Sequence, residues 1–184
     1  MQTASKKIIN GWAMYDWANS VYSLVITSTF FPAYFTAIAP EQVEILGRTY
    51  YRDSLASYAI ALSFLIIAIL SPILSSIADY KGNKIAFMKF FCYLGSLACS
   101  LMFFFTEDNI EFGLFLSIVA SIGYCGSIVF YNAYLPEIAA EEDQDRVSAK
   151  GFALGYTGSV ILMILSLVFV TLNDKLNWGL GVWC

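Results

Sequence analysis

Five long stretches with almost no charge dominate this 184-residue sequence. Residues 54–78, 112–136 and 151–173 contain no charged side chain, while residues 8–40 contain only Asp16 and residues 85–106 only Lys89. A helix that crosses the hydrocarbon core of a bilayer needs about 20 mostly apolar residues. The sequence therefore predicts five membrane-spanning helices. A sixth hydrophobic segment begins near residue 178, and the chain ends inside it.

The composition agrees with a membrane protein and excludes several other classes. Hydrophobic residues make up 59% of the chain and charged residues 13%, against about 45–50% and about 25% in soluble domains. The net charge of −4 offers no basic surface to nucleic acid. The absence of histidine excludes histidine-based zinc sites and histidine-dependent triads. We therefore expect an all-α polytopic transmembrane helix bundle that is not an enzyme, binds no cofactor or metal and does not contact nucleic acid.

The cationic residues predict an orientation in the bilayer. Lysine and arginine concentrate on the cytoplasmic side of membrane proteins. Seven of the ten lie on the side of the N-terminus and three on the other, so we expect a cytoplasmic N-terminus. The connections are short, and we treat residues 1–184 as one transmembrane domain. Because the chain ends inside a hydrophobic segment, we expect it to be the front part of a longer protein.

Asp16 is the only acidic residue inside the predicted spans. An ionised aspartate costs about 2.5–3.5 kcal/mol at the centre of a spanning helix, and less at a shallower depth. Side chains three or four positions apart share a helix face, and this face should meet protein or water. It could line a cavity where Asp16 exchanges a proton or binds a cationic solute, or Asp16 could be a structural carboxylate. The stripe consists of Asp16, Asn19, Ser20, Ser23 and Thr27.

Further polar and aromatic positions lie in the same predicted helices. Tyr22 would either join an interfacial aromatic belt or line the cavity. Tyr131 and Asn132 in the fourth span would either line the same pathway or form hydrogen bonds between helices. Small residues let helix backbones approach closely, and a glycine seam in the fifth span would serve either as a packing surface or as a hinge. That seam consists of Gly151, Gly155 and Gly158.

The connection between the second and third spans carries the pattern Asp79-x-x-Gly82-x-Lys84. Gly82 suits a tight turn with positive φ. Asp79 would lie at the C-terminal end of a helix, where the helix dipole disfavours negative charge. It should therefore have a cationic partner, and Lys81 and Lys84 are the nearest candidates.

This pattern resembles the signature loop of the major facilitator superfamily, although Ser75 and Asn83 replace the residues usual at their positions. In that superfamily the aspartate belongs to a cytoplasmic latch between two six-helix halves. Three more motifs resemble the vacuolar-effluxer-like branch, whose fungal members are described as autophagy-related amino-acid effluxers. They are GWAMYDWANS at residues 11–20, YNAYLPEIA at residues 131–139 and the serine–glycine pattern at residues 148–158.

The resemblance implies that the chain is most of the N-terminal six-helix half of a secondary active transporter. Such a protein would move small polar solutes, with amino acids and efflux as first candidates, by alternating access. Its partners would be the solute, the lipid bilayer and the missing C-terminal half. Its location would be the bacterial inner membrane, or the vacuolar membrane if the source is eukaryotic. The alternative is a non-transporting membrane bundle that acts as an assembly partner or a receptor-like protein.

Overall fold

The structure is a computed structural model that describes residues 2–45 and 47–176, with side chains as far as residue 172. It confirms the five predicted spans, since five helical segments are long and apolar enough to cross a membrane. The predicted start of a sixth span lies outside the described residues. The five segments are Lys6–Ile38, Arg52–Lys81, Lys84–Phe104, Glu107–Ile138 and Glu141–Leu172.

The first segment is not a uniform α-helix. Helix α1 (Lys6–Val21) continues through a π-helical stretch (Tyr22–Phe30) into α2 (Phe31–Ile38). Pro32 lies two residues after the end of this stretch. Proline lacks an N–H group, and its ring crowds the carbonyl four residues earlier, which provides a physical reason for the altered hydrogen-bond pattern. The wider helical repeat also means that α-helical spacing does not describe side-chain positions in this stretch.

A short antiparallel hairpin connects the first and second spans, which the sequence analysis did not predict. Strand β1 (Gln42–Ile45) pairs with β2 (Arg48–Tyr51), and Gly47 in the turn has a φ of 74°. Four-residue strands carry too little alternating pattern to stand out from a polar loop. Apart from this hairpin, short 3-10 turns and the connecting residues, the described part of the chain forms α- and π-helix, in agreement with the predicted all-α class.

Residues 35–137 form one compact unit. It contains α3 (Arg52–Lys81), α4 (Lys84–Leu101) and most of α5 (Ile110–Ile138). Its core joins all three helices, since Ile67 of α3, Phe91 of α4 and Phe130 of α5 are buried together. The rings of Phe91 and Phe130 stack with centroids 6.0 Å apart.

Glycines bring α4 and α5 together at their closest point. A β-carbon on Gly123 of α5 would lie only 2.5 Å from the α-carbon and nitrogen of Gly95 on α4. A residue with a side chain at position 123 could not come this close to the Gly95 backbone. Helical spacing in the sequence indicated the glycine seam of the fifth span but not this pair.

The second compact unit combines the described residues of the N-terminal segment, 2–34, with residues 138–176. Within it, α1 and the π-helical stretch pack along α6 (Glu141–Leu176). The N-terminal tail is tied to the turn that precedes α6: the Ala4 N–H donates to the carbonyl of Ile138 at 2.8 Å, and the Thr3 hydroxyl accepts from the Ala140 N–H at 3.1 Å. These bonds fix the start of α1 beside the start of α6.

Candidate functional site

Asp16 lies within the second unit with only 6% of its surface exposed. Ser20, one helical turn further along α1, donates a hydrogen bond of 3.1 Å to one carboxylate oxygen, Oδ1. The other oxygen, Oδ2, is buried and has no hydrogen-bond partner among the described residues. The only acidic side chain inside the predicted spans is therefore shielded and incompletely hydrogen-bonded.

The glycines of α6 lie directly against this part of α1. A β-carbon on Gly155 would stand 2.6 Å from the Ser20 hydroxyl and 3.0 Å from Asp16 Oδ2, and one on Gly158 would stand 2.9 Å from the Trp17 indole. We call these five residues the α1–α6 seam. Sequence reasoning singled out Asp16 and the glycines separately but had no signal that they touch each other.

The remaining members of the predicted stripe, and the aromatic Tyr22 beside them, have different environments. Asn19 and Tyr22 are half-buried, whereas Ser23 is exposed. The Thr27 hydroxyl is buried and has no hydrogen-bond partner among the described residues. Tyr22, Ser23 and Thr27 belong to the π-helical stretch, so the α-helical spacing that grouped this stripe applies only to its first part, Asp16, Asn19 and Ser20.

The other predicted positions are distributed over both units. Gly151 is buried on α6. Tyr131 is 4% exposed on α5, next to the core residue Phe130, and Asn132 is exposed. Tyr131 and Asn132 belong to the unit of residues 35–137 and Asp16 to the other. That they share a solute pathway with Asp16 stays a prediction.

The turn between α3 and α4 has the predicted backbone. Gly82 has a φ of 60° and ends α3 in the left-handed conformation. Its N–H bonds to the carbonyl of Asp79 at 3.2 Å, and the Asn83 N–H bonds to that of Ala78 at 3.0 Å. These bonds satisfy carbonyls that the end of a helix would otherwise leave open.

Lys84 is the centre of an ionic cluster in this unit. Its ammonium lies 2.9 Å from Asp79, as the sequence suggested, but also 2.7 Å from Glu137 at the end of α5. It donates a third bond of 3.2 Å to the carbonyl of Ala133. The Lys84 side chain is 16% exposed, while both acids remain about half exposed. The cluster thus joins the α3–α4 turn to α5, a partnership that sequence reasoning did not identify.

Five apolar helices of spanning length, with one carboxylate enclosed between two of them, define a multi-pass integral membrane protein. A family model described as "Vacuole effluxer Atg22 like" matches residues 4–144. The chain belongs to this family, which the sequence motifs had indicated.

Curated relatives agree with that assignment. The chain is 40% identical over 164 residues to a protein of Bacillus subtilis named "Uncharacterized MFS-type transporter YxiO", covering 89% of this chain and 37% of the relative. It is 28% identical over 158 residues to "Autophagy-related protein 22" of Chaetomium globosum, covering 72% and 24%. An uncharacterised protein of Aquifex aeolicus is 28% identical over 167 residues, covering 90% and 38%. No solved structure matches the chain significantly.

The chain spans between about a quarter and two fifths of the length of these relatives. The family is one of MFS-type transporters and not of enzymes. Of the two interpretations that the sequence left open, it supports the transporter over the non-transporting bundle.

Proposed function

We propose that the protein containing this chain is a secondary active transporter that exports small polar solutes, with amino acids as first candidates. The observation that carries the proposal is the enclosed carboxylate of Asp16, which has one hydrogen bond from Ser20 and an oxygen without a partner among the described residues. Ionisable groups inside spanning helices are costly, and they mark substrate or ion pathways. Export is supported by the description of the family as vacuole effluxers, and amino acids by the resemblance drawn from the sequence motifs.

Transport would proceed by alternating access, with solute bound near the bilayer midplane between this half and a second half of the same protein. Within the unit of α1 and α6, the two helices are joined by hydrogen bonds near their N-terminal ends and by close packing further along. The tail bonds to the turn before α6, Lys150 bonds to Asn10, and Gly155 packs on Ser20. We therefore assign the α6 glycines to the close packing of α6 on α1.

The ionic cluster of Asp79, Lys84 and Glu137 would act as part of the cytoplasmic latch that the superfamily loop implies. Its position follows from the predicted orientation, in which the N-terminus and the α3–α4 turn face the cytoplasm. The membrane would be the cytoplasmic (inner) membrane of a bacterium, since two of the relatives are bacterial, or the vacuolar membrane in a eukaryote.

Solute flux in proteoliposomes tests the proposal. The full-length protein would be reconstituted and export of labelled amino acids measured with and without a pH gradient. We expect Asp16→Asn to lower flux by about tenfold or more, which corresponds to about 1.4 kcal/mol of barrier. Asp108→Asn makes the same chemical change in the exposed turn that connects α4 to α5, and it should leave flux unchanged. Full flux in Asp16→Asn, with normal insertion, would contradict the role of Asp16.

A further inference from the structure

We propose that Asp16 and Ser20 form a proton-binding site that the transported solute does not enter, and that exchange of this proton requires α1 and α6 to separate at Gly155. This inference rests on the proposed function and deepens it. It assigns the carboxylate to a coupling proton and removes it from the contacts that recognise solute.

The first argument is steric. Ordinary van der Waals contacts of a β-carbon begin at about 3.4 Å, yet a β-carbon on Gly155 would lie 2.6 Å from the Ser20 hydroxyl and 3.0 Å from Asp16 Oδ2. Oδ2 of Asp16 is also shielded from solvent, so an alkylammonium group, which is larger than a methyl, could reach it only if the Asp16 and Ser20 side chains moved away from Gly155. A metal cation would also need several more oxygen ligands than these two side chains supply. A proton is the cation that fits.

The second argument is electrostatic. A buried charge without a pair is costly, and Asp16 is 94% buried. The facing part of α6, residues 151–172, has no charged residue, and its one titratable side chain, Tyr156, is 73% exposed. On α1, Lys6 and Lys7 are exposed more than two turns away, and Lys150 at the base of α6 bonds to Asn10. Among the described residues of this unit, no cation pairs with Asp16.

Protonation removes the need for a cationic partner of Asp16. A proton on Oδ2 makes the carboxyl neutral, while Ser20 continues to donate to Oδ1. Loss of the proton to water creates a carboxylate that needs hydration, and within this unit Gly155 covers it. The protonated state should therefore favour a closed α1–α6 seam, and the deprotonated state should favour an open one.

Trp17 offers a built-in reporter of the seam, because its indole ring lies against Gly158. A full-length variant that keeps Trp17 as its single tryptophan, with the others changed to Phe, would be titrated in nanodiscs while emission is recorded. We expect the emission maximum to move to longer wavelength as the pH rises, since water reaches the ring when the seam opens. Asp16→Asn should abolish this titration, and the matched change Asp108→Asn should preserve it.

Ethylammonium, a small mimic of the cationic end of an amino acid, tests the exclusion of solute. The titration midpoint should be the same with and without it, and a lower midpoint in its presence would overturn the exclusion. A pH-independent Trp17 signal, which needs no Asp16 variant to observe, would overturn the proton site. Absent solute flux with a normal titration would count against the transporter alone, whereas normal flux with a flat titration would count against this site alone.

Discussion

The glycine contact between α4 and α5 makes a sharp prediction about stability. A β-carbon on Gly123 would lie 2.5 Å from backbone atoms of Gly95 and 2.8 Å from the carbonyl of Phe91. A β-carbon on Gly95 would instead lie 3.5 Å from its nearest neighbours, which is an ordinary contact. Alanine should therefore be tolerated at one glycine of the pair and not at the other.

The magnitude follows from the distances. In Gly123→Ala the helices must part by about 1 Å to restore carbon contacts near 3.5 Å, because the obstructing atoms are backbone and cannot rotate away. Overpacking of this kind costs about 1–3 kcal/mol, and the better helix propensity of alanine returns about 0.5–1 kcal/mol. Gly95→Ala should gain the same stabilisation from helix propensity without the overpacking penalty. We expect Gly123→Ala to be less stable than Gly95→Ala by about 2 kcal/mol.

Thermal unfolding of the purified full-length protein in detergent, followed by size-exclusion chromatography of heated samples, measures this difference. Gly123→Ala should lose its monodisperse peak at a clearly lower temperature than the unmodified protein, and Gly95→Ala at the same or a slightly higher temperature. Equal melting of the two variants, or a lower melting temperature for Gly95→Ala, would refute the reasoning from backbone contact.

Two further predictions concern the ends of the helices. Lys84→Ala should lower the free energy of unfolding by only about 1 kcal/mol, because its acidic partners are half exposed and can be hydrated instead. Lys81→Ala, at an exposed position, should leave the melting temperature unchanged. High salt should reduce the difference in melting temperature between Lys84→Ala and the unmodified protein. Thr3→Val should remove the hydrogen bonds of the Thr3 hydroxyl to Asp143 and Ala140, each worth about 1 kcal/mol, and so accelerate amide hydrogen exchange at Ala4. Ser5→Ala should leave this exchange unchanged, because the Ser5 side chain makes no capping bond. Unchanged exchange in Thr3→Val would show that the tail is held in another way.

The membrane-spanning character of the chain could be predicted from the sequence because it depends on local composition. Each of the five stretches is apolar over a length that only a spanning or fully buried helix uses, and the structure has a helix at each. Gly82 was predictable for a similar reason, since a left-handed turn after a helix is a local requirement that glycine meets. The π-helical stretch before Pro32 was missed, since hydropathy is nearly the same for either helical repeat.

Reading the residues alone is enough to recognise which of them are unusual: one acid in an apolar span, glycines at helical spacing, and an aspartate at a helix end. The tertiary structure decided what each of them touches. Gly155 faces Asp16 and Ser20, Gly123 faces Gly95, and Lys84 reaches Glu137 as well as Asp79. The physical reason is that spacing along a helix assigns a residue to a face, whereas the neighbour of that face depends on how distant segments of the chain pack together.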